Sequence, residues 1–214
     1  MIKTYNNLPF DKEEILRYLG VYKADESVNE LLSECTAEIK DKLIYKVCYE
    51  ELYVSVKDST LNFGVFKVYS KDLSRVLEKS EKAVVFCATL GIEPDRLINK
   101  YSHISPSKAL MFQAIGASQI EMLCDKFSED IRKEKNKNIT RRFSPGYGDL
   151  SIYTQKDISA FLNLPKNIGV ALNKSMLMSP SKSVTAFFGL TDEKTCDIKN
   201  KCSECEKTDC AFKR

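Results

Sequence analysis

The chain has 214 residues, 43% hydrophobic and 29% charged, which is enough apolar side chain for one large core and enough charge to keep it in water. Its 33 basic and 30 acidic residues leave a net charge of +3, too slight a bias to argue for nucleic acid as a partner. No apolar run reaches transmembrane length, and the first residues, MIKTYNNLPFDKEE, lack the apolar centre of a secretion signal, so no membrane partner is expected and the expected location is the cytoplasm.

In chain order, DKEEILRYLG predicts a short helix with Asp11 as N-cap, Glu14 three residues on and Gly20 past its end. SVNELLSECTAEIKDKL predicts a second helix opened by a Ser27–Glu30 capping box, with Val28, Leu31, Leu32, Cys35 and Ile39 on one apolar face. The period then changes. Tyr45, Val47 and Tyr49, and after them Leu52, Val54 and Val56, alternate with polar neighbours and predict strands. NFGVFKVYS predicts another strand, SKDLSRVLEKS a short helix, and the continuous apolar run AVVFCATLG a buried strand. Ser105 and Pro106 open a long helix reaching about Asn136, with the small-residue stretch AIGASQ in its middle and the solvated RKEKNKN at its end. Small residues there admit a close neighbour, either a packed backbone or a ligand. Thr154 and Asp157 start a further helix to Leu164, and NKSMLMSPSKSVTAFFGL predicts two strands around SPSKS. Helices and strands without strict alternation predict an α+β fold.

Several chemistries are excluded. The chain has no G-x-G-x-x-G after a strand, no Walker-type phosphate loop and no G-x-S-x-G elbow. A single histidine, His103, sits in a polar segment and reads as solvated. Cys35, Cys48, Cys87 and Cys124 stand alone in apolar surroundings and read as small buried hydrophobes. Cys196, Cys202, Cys205 and Cys210 crowd residues 196–214 in the spacing C-x5-C-x2-C-x4-C.

The segment RRFSPGYGDLSIYTQKDI carries the most chemistry. Pro145 fixes φ near about −65° and Gly146 accepts φ > 0, which suits a type II turn with backbone groups facing outward. Arg142 offers a planar fork for a carboxylate, Tyr147 a flat face with a hydroxyl, and Gly148 removes a side chain nearby. These residues suit a small ligand with a carboxylate and a flat ring. They equally suit an ordinary helix-to-loop corner, with Arg142 in a surface ion pair and Tyr147 in the core.

R-x-x-P-G-Y before a helix start, with a long helix upstream and MLMSPSKSVTAFF downstream, resembles the activation domain of cobalamin-dependent methionine synthase, whose R-P-A-P-G-Y segment binds S-adenosylmethionine (AdoMet). Arg142, Pro145, Gly146 and Tyr147 match that segment, and Ser144 falls where the family offers a backbone contact. IEMLCDKFSEDIRKE lines up with the family's acidic helix, placing Glu121 at a ligand-contacting glutamate, and Met176 to Phe188 resembles its strand pair. The clearest resemblance runs from Ala109 to Leu190, and the chain looks like the short free-standing versions of the domain. It departs in three places. Gly148-Asp149-Leu150 replaces a proline-rich segment, Cys196 falls where a tyrosine is expected, and the cysteine tail is extra.

The resemblance implies a twisted, mainly antiparallel sheet with long helices over residues 1–195, and the cysteine-rich tail, 196–214, lies beyond it. It implies a methyltransferase component that reactivates cobalamin-dependent methionine synthase by presenting AdoMet to cob(II)alamin. The cobalamin would belong to the partner, and a separate one-electron donor would be needed. Arg142 would hold the ligand carboxylate, Glu121 a polar or cationic group, and Gly146 and Tyr147 would shape the pocket. Two other functions stay open: an AdoMet-binding partner of another corrinoid methyltransferase, and a metal-binding adaptor acting through its tail. Four thiolates at that spacing can surround zinc or an iron–sulfur cluster, with disulfides as the rival. Anaerobic preparation followed by metal analysis decides this: retained zinc or iron is the outcome the metal reading expects, and neither retained removes it.

Overall fold

The computed structural model describes residues 1–192. The expected boundary after residue 195 and the thiols of Cys196, Cys202, Cys205 and Cys210 lie outside them. Five strands build the main sheet: β1 (Ile2–Tyr5), β2 (Tyr45–Tyr53), β6 (Lys82–Thr89), β7 (Asn138–Ile139) and β10 (Ser183–Thr191). They run in the order β1-β2-β6-β10-β7, with every neighbouring pair antiparallel. Cys48 faces Cys87 across β2 and β6, and Thr89 faces Ser183 across β6 and β10. A small sheet of β3 (Ser55–Lys57), β4 (Thr60–Asn62) and β5 (Lys67–Tyr69), and a ribbon of β8 (Ala171–Leu172) and β9 (Met178–Ser179), complete the strands. The helices are α1 (Lys12–Tyr18), α2 (Glu26–Ile39), α3 (Lys71–Leu77), α4 (Glu93–Ser102), α5 (Pro106–Lys135), α6 (Thr154–Leu162) and α7 (Leu164–Ile168). This is the expected α+β class with an antiparallel sheet. No helix of the described residues is long and apolar enough to cross a membrane.

The period-2 alternation of the central strands divides the apolar side chains between two faces. Val47, Tyr49, Val84, Phe86, Ala186 and Phe188 meet the second half of α5 through Leu123, Cys124, Phe127 and Ile131. On the opposite face Cys48, Val85, Cys87 and Phe187 pack with α3, α6, α7 and the small sheet through Leu73, Ile158, Leu164 and Leu61. A third cluster lies beyond the sheet, where the first half of α5 (Met111, Phe112, Ile115) gathers Ile15 of α1, Leu32, Cys35 and Ile39 of α2, and Leu97 of α4. The single cysteines are thus core residues, as expected, and burial pushes the Cys35 thiol up to about 11.

Local expectations differ from the structure in several places. Helix α2 starts at Glu26, because Asp25 rather than Ser27 caps it. The Asp25 carboxylate accepts the Val28 N–H at 2.9 Å and also the Ser27 hydroxyl, so the Ser27–Glu30 box does not form. NFGVFKVYS is not one strand. Gly64 at φ +82° turns the chain, and Asn62 and Lys67 face each other as the two arms of a hairpin. Asn163 in the left-handed region (φ 46°) ends α6 before Leu164 and starts α7. Both strands around SPSKS exist, but β9 pairs with β8 and only β10 joins the main sheet. Helix α5 begins at Pro106 and reaches Asn136 as expected, ending there in the left-handed region, although Ser105 does not use its side chain to cap it. The neighbour that the AIGASQ stretch admits is a side chain. Gly116 leaves room for the aliphatic stem of Lys182, which a Cβ there would meet at 2.8 Å, and Lys182 Nζ donates to Gln113 at 2.6 Å. Sequence patterning missed β1, α4, β7 and β8, which are short or open without a side-chain cap.

Phe127 is fully buried and its ring meets Tyr49 at 5.0 Å, Phe86 at 5.0 Å and Phe188 at 6.0 Å. Phe127→Ala should lower the unfolding free energy by about 3–5 kcal/mol in urea titration, the usual cost of emptying such a site.

Candidate functional site

From the left-handed Asn136, the chain turns back along the edge of β10. Ile139 pairs with Leu190, the Thr140 N–H donates to the Gly189 carbonyl at 3.0 Å, and Phe143 and Phe187 exchange N–H···O bonds at 2.8 and 2.9 Å. This extended run sends alternate side chains to opposite sides. Phe143 enters the core beside α3 and α6, with the Arg141 guanidinium 5.8 Å from its ring. Arg142 projects the other way, onto α5.

There it meets two carboxylates one helical turn apart. Arg142 Nη2 donates to Glu121 Oε2 at 2.9 Å, and Nη1 donates to Asp125 Oδ1 at 2.6 Å. The Arg142 side chain is 23% exposed, while Glu121 and Asp125 are 38% and 62% exposed. Burial works against the arginine's charge, but the Asp125 and Glu121 carboxylates outweigh it, and its pKa rises. Cys124, between the two acids, is fully buried, and desolvation pushes its thiol up to about 12, so it stays protonated and inert. Tyr18 of α1 borders the group, its hydroxyl pKa raised by burial and then by Glu121.

The next four residues form the expected turn. The Ser144 carbonyl accepts the Tyr147 N–H at 3.1 Å, and Gly146 sits at φ +92°, as position three of a type II turn requires. Its backbone groups do not all face outward as expected. The Gly146 N–H donates to the Leu150 carbonyl at 2.9 Å, and the Leu150 N–H to the Tyr147 carbonyl at 3.0 Å, so the loop satisfies itself. Pro145 is buried and Ile152 packs near Gly146, while Tyr147 stays 67% exposed. The structure therefore combines parts of both readings of this corner. Arg142 is ion-paired, but Tyr147 is not in the core.

Sequence reasoning missed two features. Asp125 was legible as a carboxylate four residues beyond Glu121, but nothing in the local pattern fixed Arg142 against both. Gly148-Asp149-Leu150, the segment that departs from the family pattern, docks the loop onto α3. The Asp149 carboxylate accepts from the Ser70 hydroxyl, from the Lys71 N–H at 2.8 Å and from the Asp72 N–H at 3.3 Å. Gly148 at φ +52° lies so close to Asp72 that an added Cβ would overlap its carboxylate. His103 is exposed, as expected, and ends α4. Among the described residues no group of three or more His, Cys, Asp or Glu could hold a metal ion. A surface hollow of about 370 Å³ lies between α1 and α2, lined by Phe10, Lys12, Ile15, Leu32 and neighbours, and shares no residue with the turn.

No protein-family model matches the chain. No curated protein matches it either. Among solved structures, a crystal structure of the MetH reactivation domain bound to AdoHcy aligns with a TM-score of 0.64 at 14% identity, covering 92% of this chain and 80% of that one. The chain thus has a MetH reactivation-domain fold, as the sequence resemblance implied.

Gly148→Ala should lower stability by about 1–2 kcal/mol from the left-handed backbone alone, read from urea unfolding. Hydrogen bonds from Ser70 and from the Lys71 and Asp72 N–H groups hold the Asp149 carboxyl below its usual range. A depressed carboxylate stabilises the fold above its unfolded pKa and loses that contribution as pH falls through the folded value. The stability advantage over Asp149→Asn should therefore be constant near neutrality and shrink below about pH 4.

Proposed function

We propose that the chain binds AdoMet at the Arg142 turn and presents it to cob(II)alamin carried by cobalamin-dependent methionine synthase, as a reactivation component. The observation that supports this most is the half-buried Arg142, aimed at α5 beside a type II turn with an exposed tyrosine, on the fold of a domain crystallised with AdoHcy. The residues fit the ligand's groups. A guanidinium has five N–H donors, and the ion pairs with Glu121 and Asp125 use two of them, leaving donors for a carboxylate. Glu121 and Asp125 retain lone pairs that can accept from an ammonium group. Tyr147 offers a ring face.

When bound, AdoMet supplies the methyl group and leaves as AdoHcy. The partner's cobalt, once reduced by a separate electron donor, would accept that methyl group, so this chain would need no general base. Its task is to hold and orient. The one histidine is exposed on α4, and the four cysteines of the described residues are buried, which accords with a positioning role. The surface around Arg142, Gly146 and Tyr147 would have to stay open on the side that meets the corrinoid, and the contact should be transient because the same corrinoid serves other substrates. The sealed loop behind Tyr147 and the exposed ring in front of it suit that arrangement.

Calorimetric titration should give AdoMet binding in the micromolar range or weaker. Arg142→Ala, shown folded by circular dichroism, should weaken it by about 1.5–3 kcal/mol, roughly ten- to a hundredfold. Mixed with a truncated methionine synthase in the cob(II)alamin state, an electron donor and AdoMet, the chain should restore methylcobalamin and Arg142→Ala should not. Equal recovery without the chain would remove the reactivation role.

A further inference from the structure

We infer that Asp125, together with Glu121, makes the site selective for the sulfonium form of its ligand over the thioether form. This rests on AdoMet binding at Arg142. Two carboxylates and one guanidinium meet there within hydrogen-bond distance, leaving one net negative charge. The charges around them do not cancel it. Arg17 is paired with Glu14 at 2.6 and 2.7 Å, Lys126 with Asp130 at 2.8 Å, and Arg141 points to the opposite side of its strand, over Phe143. AdoMet and AdoHcy share the carboxylate, the ammonium and the adenosine, and differ by one methyl group and one positive charge. Contacts to the shared groups bind both forms alike. A net negative site favours only the form with the extra charge, whatever the detailed pose. Asp125 is the better probe of the two acids, because it is the more exposed and contributes least to packing.

A site of this kind also assists turnover. Loss of the methyl group removes the ligand's extra charge, so the product is held less tightly than the donor.

Asp125→Asn tests the inference, since the amide oxygen can still accept from Arg142 Nη1 while the charge is gone. Calorimetry with AdoMet and AdoHcy on the unsubstituted chain and the variant should show the AdoMet-to-AdoHcy affinity ratio falling roughly threefold, the effect of one charge several ångströms away in water-like surroundings. Added salt should narrow the ratio in the unsubstituted chain more than in the variant, a response a merely structural role would not give. Glu121→Gln should act in the same direction. An unchanged ratio in folded Asp125→Asn, with both ligands still bound, overturns the inference and leaves AdoMet binding intact. Binding of neither ligand by the unsubstituted chain overturns the functional reading, and this inference with it.

Discussion

One helix has to satisfy two cores at once, and the rest of the molecule is arranged around that demand. Helix α5 is 30 residues long, about 45 Å at 1.5 Å per residue. Its first half is surrounded by α1, α2 and α4, and its second half lies on one face of the sheet. The change of surroundings falls near Gly116 and Gln119. Gln119 is fully buried, and its amide accepts from the Tyr45 hydroxyl at 2.6 Å and donates to the Pro9 carbonyl at 2.9 Å. A buried amide with both ends occupied ties the N-terminal segment, the sheet and α5 together without an unsatisfied group. Glu121 and Asp125 follow on the same helix, so the acids that hold Arg142 are placed by an element packed against both the helical cluster and the sheet.

The ion pairs of Arg142 are only partly buried. Fully burying a guanidinium with two carboxylates would carry a large desolvation cost. Here Arg142 is mostly covered while both acids reach solvent, so the group keeps much of its hydration and also keeps a defined orientation. The loop that follows is held from the other side, where Asp149 takes hydrogen bonds from Ser70 and from the first N–H groups of α3. The turn thus sits between an ion pair on α5 and a carboxylate cap on α3, and the exposed Tyr147 is carried on a braced loop rather than a free one.

Strong periodicity made much of this fold legible in the sequence. AVVFCATLG and the alternation from Tyr45 onward are β6 and β2, and the span from Ser105 to Asn136 is α5 with its Pro start and left-handed end. What was not legible depended on competition between neighbours. Asp25 displaces Ser27 as a cap because its carboxylate reaches the Val28 N–H first, and Gly64 turns what reads as one strand into two. The candidate site divides in the same way. The turn at Pro145-Gly146 is local chemistry and was visible. The pairing of Arg142 with Asp125, and of Asp149 with Ser70, joins residues 17 and 79 positions apart, which no local pattern encodes.

The turn is also positioned mostly by main-chain hydrogen bonds: Phe143 with Phe187, Thr140 with Gly189, Ser144 with Tyr147, Gly146 with Leu150. Such bonds are indifferent to side-chain identity, apart from the glycines that the backbone angles demand. A site set out this way can drift at most positions and keep its shape. Replacing Thr140, Phe143 or Leu150 with a residue that keeps the backbone angles would leave these bonds in place, whereas replacing Arg142 would remove both ion pairs to α5.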